Sequence, residues 1–117
     1  MSAAPLTNAH LADPAKFAQS IVNRGELWAD ALAAAELLEE TKSTLLAKIT
    51  KEHFGESAWK AEALAKGDAR YEEHIRSMVD ARRLANLARV RYDGAKAMGE
   101  FARSAESTRR AELQATR

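Results

Sequence analysis

The sequence predicts an all-α protein: an antiparallel hairpin of two long helices, completed to a helical bundle by self-association. Three observations lead there. Apolar residues recur at intervals of three, four and seven through the first half of the chain. The second half is a long proline-free run of alanine, arginine, glutamate, leucine and lysine, all good helix formers. No segment shows the period-two alternation of a strand. A length of 117 residues suits one domain.

Residues 1–12 are small and polar, with Pro5, and read as a flexible N-terminal arm ahead of a single helical domain over 13–117. Asp13-Pro14 is a helix start: the aspartate accepts from free first-turn amides, and proline at the first helical position loses no hydrogen bond. Phe17, Ile21, Trp28, Leu32, Ala35, Leu38, Leu45 and Ile49 then trace one face of a helix expected over about 14–54. Arg24-Gly25 is a candidate kink. Gly55 is the expected left-handed cap at its end. Ser57 caps a short helix over about 58–66, and Gly67-Asp68 stops it and starts the next, over about 69–113. At about 1.5 Å per residue that helix runs roughly 65 Å, with Gly94 and Gly99 as its weak points.

Aromatic residues are only 6% of the chain and alanine dominates the apolar set. Alanine buries little area at roughly 25 cal/mol per Å², so close helix approach or oligomerisation is expected to make up the difference. The last helix carries two apolar stripes. One runs Tyr71, Ile75, Met78, Ala85, Tyr92; the other runs Leu84, Leu87, Gly94, Met98, Phe101, Ala105, with the three-and-four spacing of a coiled-coil seam. A hairpin needs one stripe per helix. The second is therefore a candidate interface with another subunit or a partner, through Leu84, Leu87, Met98 and Phe101; a single wide stripe wrapped by the short helix is the alternative. Trp28 and Trp59 read as core or hairpin-end packing, with Trp59 folding back on the end of the first helix; anchoring a partner is the alternative.

The formal net charge is +1, yet residues 1–57 hold 5 basic and 8 acidic residues while 58–117 hold 13 and 9. Within the basic half, Arg82, Arg89, Lys96, Arg103, Arg110 and Arg117 recur every seven residues. A seven-residue step drifts by only about 20° on a straight helix, so these cations share a slowly winding face. With Tyr92 between Arg89 and Lys96, and Arg83, Arg91 and Arg109 nearby, the row can follow a phosphate backbone and stack a base. The plainer reading is a solvated edge: Asp93 follows Arg89 by four residues, Glu100 follows Lys96 by four, and Glu106 follows Arg103 by three. Glu36, Glu39, Glu40 and Glu52 of the first helix can also lie against the row. An acidic partner or a nucleic acid is thus the candidate ligand of Arg82, Arg89, Tyr92, Lys96, Arg103 and Arg110.

The residues do not point to catalysis. There is no cysteine, no glycine-rich phosphate loop and no serine in a nucleophile elbow. Ser104, Ser107 and Thr108 read as ordinary surface polar residues. Glu39-Glu40 and Glu72-Glu73 are sequence neighbours and diverge on a helix. His10, His53 and His74 lack the carboxylate–histidine spacing of helical-bundle metal sites. No metal, cofactor or small-molecule substrate is expected. Nor does the start of the chain resemble a secretory signal, and no run approaches the roughly 18 apolar residues of a membrane span, so the expectation is a cytoplasmic protein.

The stretch Ala-Arg-Arg-Leu-Ala-Asn-Leu-Ala-Arg-Val-Arg-Tyr-Asp-Gly-Ala-Lys-Ala, residues 81–97, followed by Glu100-Phe101-Ala102-Arg103-Ser104, resembles the C-terminal helix of small all-helical accessory proteins of phages and prophages, over about residues 70–113. The resemblance implies an accessory role in recombination or replication, or the inhibition of a host factor such as a nucleic-acid-guided defence complex. No residue role carries over from it. The combined expectation is a non-enzymatic, homodimeric protein–protein interaction module acting on a nucleic-acid-processing complex; direct DNA or RNA binding through the basic row is the alternative.

Overall fold

Asp13 starts the first helix as its place before Pro14 predicts: Oδ1 accepts from the amides of Ala15 at 3.1 Å and Lys16 at 3.3 Å. The computed structural model describes residues 13–116; the N-terminal arm, His10 and Arg117 lie outside them. The described residues form α1 (Pro14–Lys51), α2 (Ala58–Lys66) and α3 (Ala69–Ala115), with no strand among them. No helix among them is long and apolar enough to cross a membrane.

Neither Arg24-Gly25 nor Gly94 nor Gly99 interrupts its helix. The end of α1 differs from expectation. The helix stops at Lys51, and no described glycine has a positive φ, so Gly55 is not a left-handed cap. Three-residue turns close the end instead: the amides of Glu52 and His53 donate to the carbonyls of Ile49 and Thr50, both at 3.0 Å, which satisfies late carbonyls without a left-handed residue. Ser57 has the extended backbone of a cap but makes no side-chain cap bond. Trp59 is 75% exposed and does not fold back on α1. It sits in the first turn of a nine-residue helix whose buried residues are Ala61 and Ala65, and the face of those two alanines is the one that packs.

The contacts divide the chain into two compact units: the residues up to Ala29 with those from Asn86 onward, and Asp30–Ala85. In each, a segment of α1 runs antiparallel to a segment of α3, the hairpin that the sequence predicts. The buried and half-buried positions of α1 include Phe17, Ile21, Arg24, Trp28, Ala31, Ala35, Leu38, Lys42, Leu45 and Ile49, in strict alternation of four and three. Those of α3 include Tyr71, His74, Met78, Ala81, Ala85, Ala88, Tyr92, Ala95, Gly99 and Ala102, in alternation of three and four. Each is a heptad seam. Alanine holds every seventh place at 81, 88, 95 and 102 of α3, so the α3 backbone meets little bulk at those steps.

In the Asp30–Ala85 unit, Ala35, Ile49, Ala61, Ala65 and Ala85 are buried. His74 donates through Nε2 to the Leu38 carbonyl at 2.7 Å, and Arg82 clasps Glu39 with Nε at 3.0 Å and Nη2 at 2.7 Å from Oε1. Asp68 caps α3, accepting the Arg70 amide at 2.8 Å, while the Arg70 guanidinium donates to Asp68 and to Glu52. Those hydrogen bonds from Arg70, side chain first and then amide, hold the Asp68 carboxyl at about 2, below its ordinary 3.8; Glu52 is lowered by the same guanidinium. A carboxylate with a depressed folded-state pKa stabilises the fold above its unfolded pKa and loses that contribution as pH falls through the folded value. Stability should therefore fall as pH drops from about 3.8 towards about 2, and Asp68→Asn should flatten that slope in chemical denaturation measured across the window. An unchanged slope would show that the cap is not linked to acid unfolding.

Candidate functional site

The unit built from the residues up to Ala29 and from Asn86 onward holds most of the chemistry that the sequence singles out. Its interior is set by two helical glycines, each meeting an aromatic ring from the opposite helix. A Cβ on Gly25 would lie 3.2 Å from Cε2 of Tyr92, and one on Gly99 would lie 2.6 Å from Cε1 of Phe17. Tyr92 also packs on Trp28, with ring centroids 5.6 Å apart at 33°, a distance within the favourable range for aromatic pairs. Trp28 is thus a packing residue. Arg24 is buried to 8% exposure and donates to Ser20 Oγ at 2.7 Å. Sequence reasoning missed its burial, although it stands where the seam alternation needs a residue between Ile21 and Trp28.

The burial of α3 separates the two apolar stripes. Tyr71, Ile75, Met78, Ala85 and Tyr92 are buried or half-buried, whereas Leu84, Leu87, Gly94, Met98, Phe101 and Ala105 are all exposed. Leu87 is 38%, Met98 42% and Phe101 77% exposed; Leu84, in the Asp30–Ala85 unit, is 49%. In heptad terms Met98 and Leu87 lie on one flank of the seam and the basic row on the other.

The basic row does not behave uniformly. In the Asp30–Ala85 unit, Arg82 is engaged by Glu39. Lys96 sits 4.5 Å from the centroid of the Tyr92 ring, a cation–π contact, and 3.7 Å from Asp93. It takes the carboxylate that the spacing offers to Arg89, and it does not use Glu100. Glu106 accepts from Arg109 at 3.2 Å and lies 3.8 Å from Arg110, not with Arg103. Among the described residues, Arg89 and Arg103 are exposed and have no ion-pair partner. Tyr92 is half-buried and held by Trp28 and Lys96.

Three members of the row, Lys96, Arg103 and Arg110, line a groove of about 800 Å³ with Glu100 and Glu106. Its apolar wall is formed by Pro14, Phe17, Ala18 and Ile21 of α1 together with Gly99 and Ala102 of α3. The Phe17–Gly99 contact is what shapes it: without a side chain at Gly99, the Phe17 ring lies on the α3 backbone. Spacing along either helix does not reveal the groove, because it depends on which residues of α1 face which residues of α3. Among the described residues, no group of three or more histidine or carboxylate side chains is placed to hold a metal ion. The chemistry available is apolar burial and cationic recognition. No family model, curated protein or solved structure matches the chain.

Proposed function

We propose that this chain is a non-enzymatic protein–protein interaction module that forms a homodimer through the exposed stripe of α3, centred on Leu87, Met98 and Phe101. The observation that carries this reading is the exposure of that whole stripe while the other stripe of the same helix is covered. Burying a leucine, methionine or phenylalanine is worth roughly 1.5–3 kcal/mol, and a row of them left in water is what an interface uses. In this reading the module is cytoplasmic and acts on a nucleic-acid-processing complex in recombination, replication or host defence, the role that a resemblance to phage accessory helices implies. Sedimentation equilibrium over a range of protein concentrations at physiological salt tests the self-association. A concentration-dependent dimer is expected; a chain that stays monomeric throughout would sink the reading.

A second reading, direct binding of DNA or RNA, draws on one observation: Arg89 and Arg103 have no ion-pair partner among the described residues. It predicts binding to labelled single- or double-stranded DNA that weakens steeply with salt and stepwise as Arg82, Arg89, Lys96 and Arg103 are neutralised. The first reading predicts no such binding at physiological salt.

A further inference from the structure

The groove beside the Phe17–Gly99 contact has two features that the self-association stripe does not use. Phe17 and Ile21 supply apolar surface, and Lys96, Arg103 and Arg110 stand along the α3 side at seven-residue intervals. Each interval is about 10.5 Å along the helix axis. We propose that this groove is a docking site for an acidic amphipathic helix of a partner protein, laid along α3 with its apolar face on Phe17 and Ile21 and carboxylates recurring every seven residues opposite the three cations.

Charge complementarity carries the choice of occupant. Glu106 is already engaged by Arg109 and Arg110, whereas Arg103 has no ion-pair partner among the described residues. The groove therefore offers a guanidinium in reach of an incoming carboxylate, and arginine matches a carboxylate with paired donors. A helix with a heptad of carboxylates places one opposite Arg103 and one opposite each of Lys96 and Arg110, which it shares with Asp93 and Glu106, while its apolar face covers the wall. Glu100 is the groove carboxylate that such a partner must pass. Phosphates on one strand recur about every 3.4 Å, and a nucleic acid backbone has no use for the apolar wall. A second copy of this chain is not the occupant, because nowhere in the sequence do three carboxylates recur at seven-residue spacing.

Fluorescence anisotropy with the full chain tests the proposal. The probe is a labelled three-heptad helical peptide with a leucine face and glutamate at every seventh position; its control carries lysine at those positions. The glutamate peptide is expected to bind saturably at physiological salt, and the lysine peptide is not. Arg103→Glu with Arg110→Glu should weaken the glutamate peptide by about tenfold or more and raise affinity for the lysine peptide. That gain is a readout that misfolding does not produce. Equal binding of the two peptides, no binding of either, or an unaltered affinity in the double variant would overturn the proposal. So would oligo-dT binding that is lost in the variant while the glutamate peptide fails to bind, which would assign the cations to nucleic acid. Leu87→Glu with Phe101→Glu leaves every groove residue in place, so peptide binding by that variant separates this site from self-association.

Discussion

Leu87→Glu combined with Phe101→Glu is expected to abolish the self-association proposed for the exposed α3 stripe and to leave the chain monomeric. Both side chains are exposed, Phe101 at 77% and Leu87 at 38%, and neither belongs to the seam that α1 covers, so helicity should be retained. A central apolar anchor is worth about 2 kcal/mol or more when removed, and each 1.4 kcal/mol is about tenfold in a dissociation constant. A buried, unpartnered carboxylate adds its own desolvation penalty. The pair together should raise the dimer dissociation constant by roughly a thousandfold. Sedimentation velocity reads the change directly. Leu37→Glu is the control: Leu37 is 62% exposed on α1 and lies off the stripe, so association should survive. A dimer that persists in the double variant, or one lost equally in the control, would show that the stripe is not the interface.

The second large effect is a pair of glycine substitutions with opposite signs. Gly94→Ala should stabilise the protein. A Cβ there meets nothing within 4 Å, and alanine is favoured over glycine in a helix interior by about 1 kcal/mol. That corresponds to a rise in Tm of roughly 4–8 °C for a chain near this size. Gly99→Ala, five residues on, should destabilise it, because its Cβ would stand 2.6 Å from Phe17 Cε1. Forcing an extra carbon into a filled contact costs about 1–3 kcal/mol, which outweighs the same helix gain. A double-mutant cycle isolates the cause: in a Phe17→Ala background the penalty of Gly99→Ala should vanish and only the helix gain should be left. If Gly99→Ala stabilised the wild-type chain, the Phe17 ring would not be held against α3 at that point.

Much of the fold was legible because it depends on local physics. The Asp13 and Asp68 caps rest on a carboxylate reaching amides two or three residues away, so a short stretch of sequence suffices to place them. The helical periods of α1 and α3 are likewise carried by spacing along one chain. Local reasoning failed where the geometry was not local or where more than one solution was open. Gly55 is compatible with a left-handed cap, yet the turns at Glu52 and His53 close the helix without one. Trp59 has the chemistry of a packing residue, but the Ala61–Ala65 face of its helix is the one buried. The basic row was visible as a pattern, and so was Glu39 of the first helix as a partner for it, which Arg82 takes; the pairing along α3 was not. The spacing offers Asp93 to Arg89 and Glu100 to Lys96, whereas the lysine, lying over the Tyr92 ring, pairs with Asp93.

By itself, then, the sequence determined that the chain is all helical, where its helices begin, that α3 carries two apolar stripes, and that its cations recur every seven residues. Tertiary packing decided which stripe is covered, why glycine occupies positions 25 and 99, how Arg24 is accommodated in a seam, and where the groove lies. The physical reason is a difference in range. Periodicity and capping are interactions between residues a few places apart, whereas burial depends on which residue of one helix meets which residue of the other. Neighbouring candidates for such a meeting differ by no more than the bulk of a side chain, and only the assembled pair of helices selects among them.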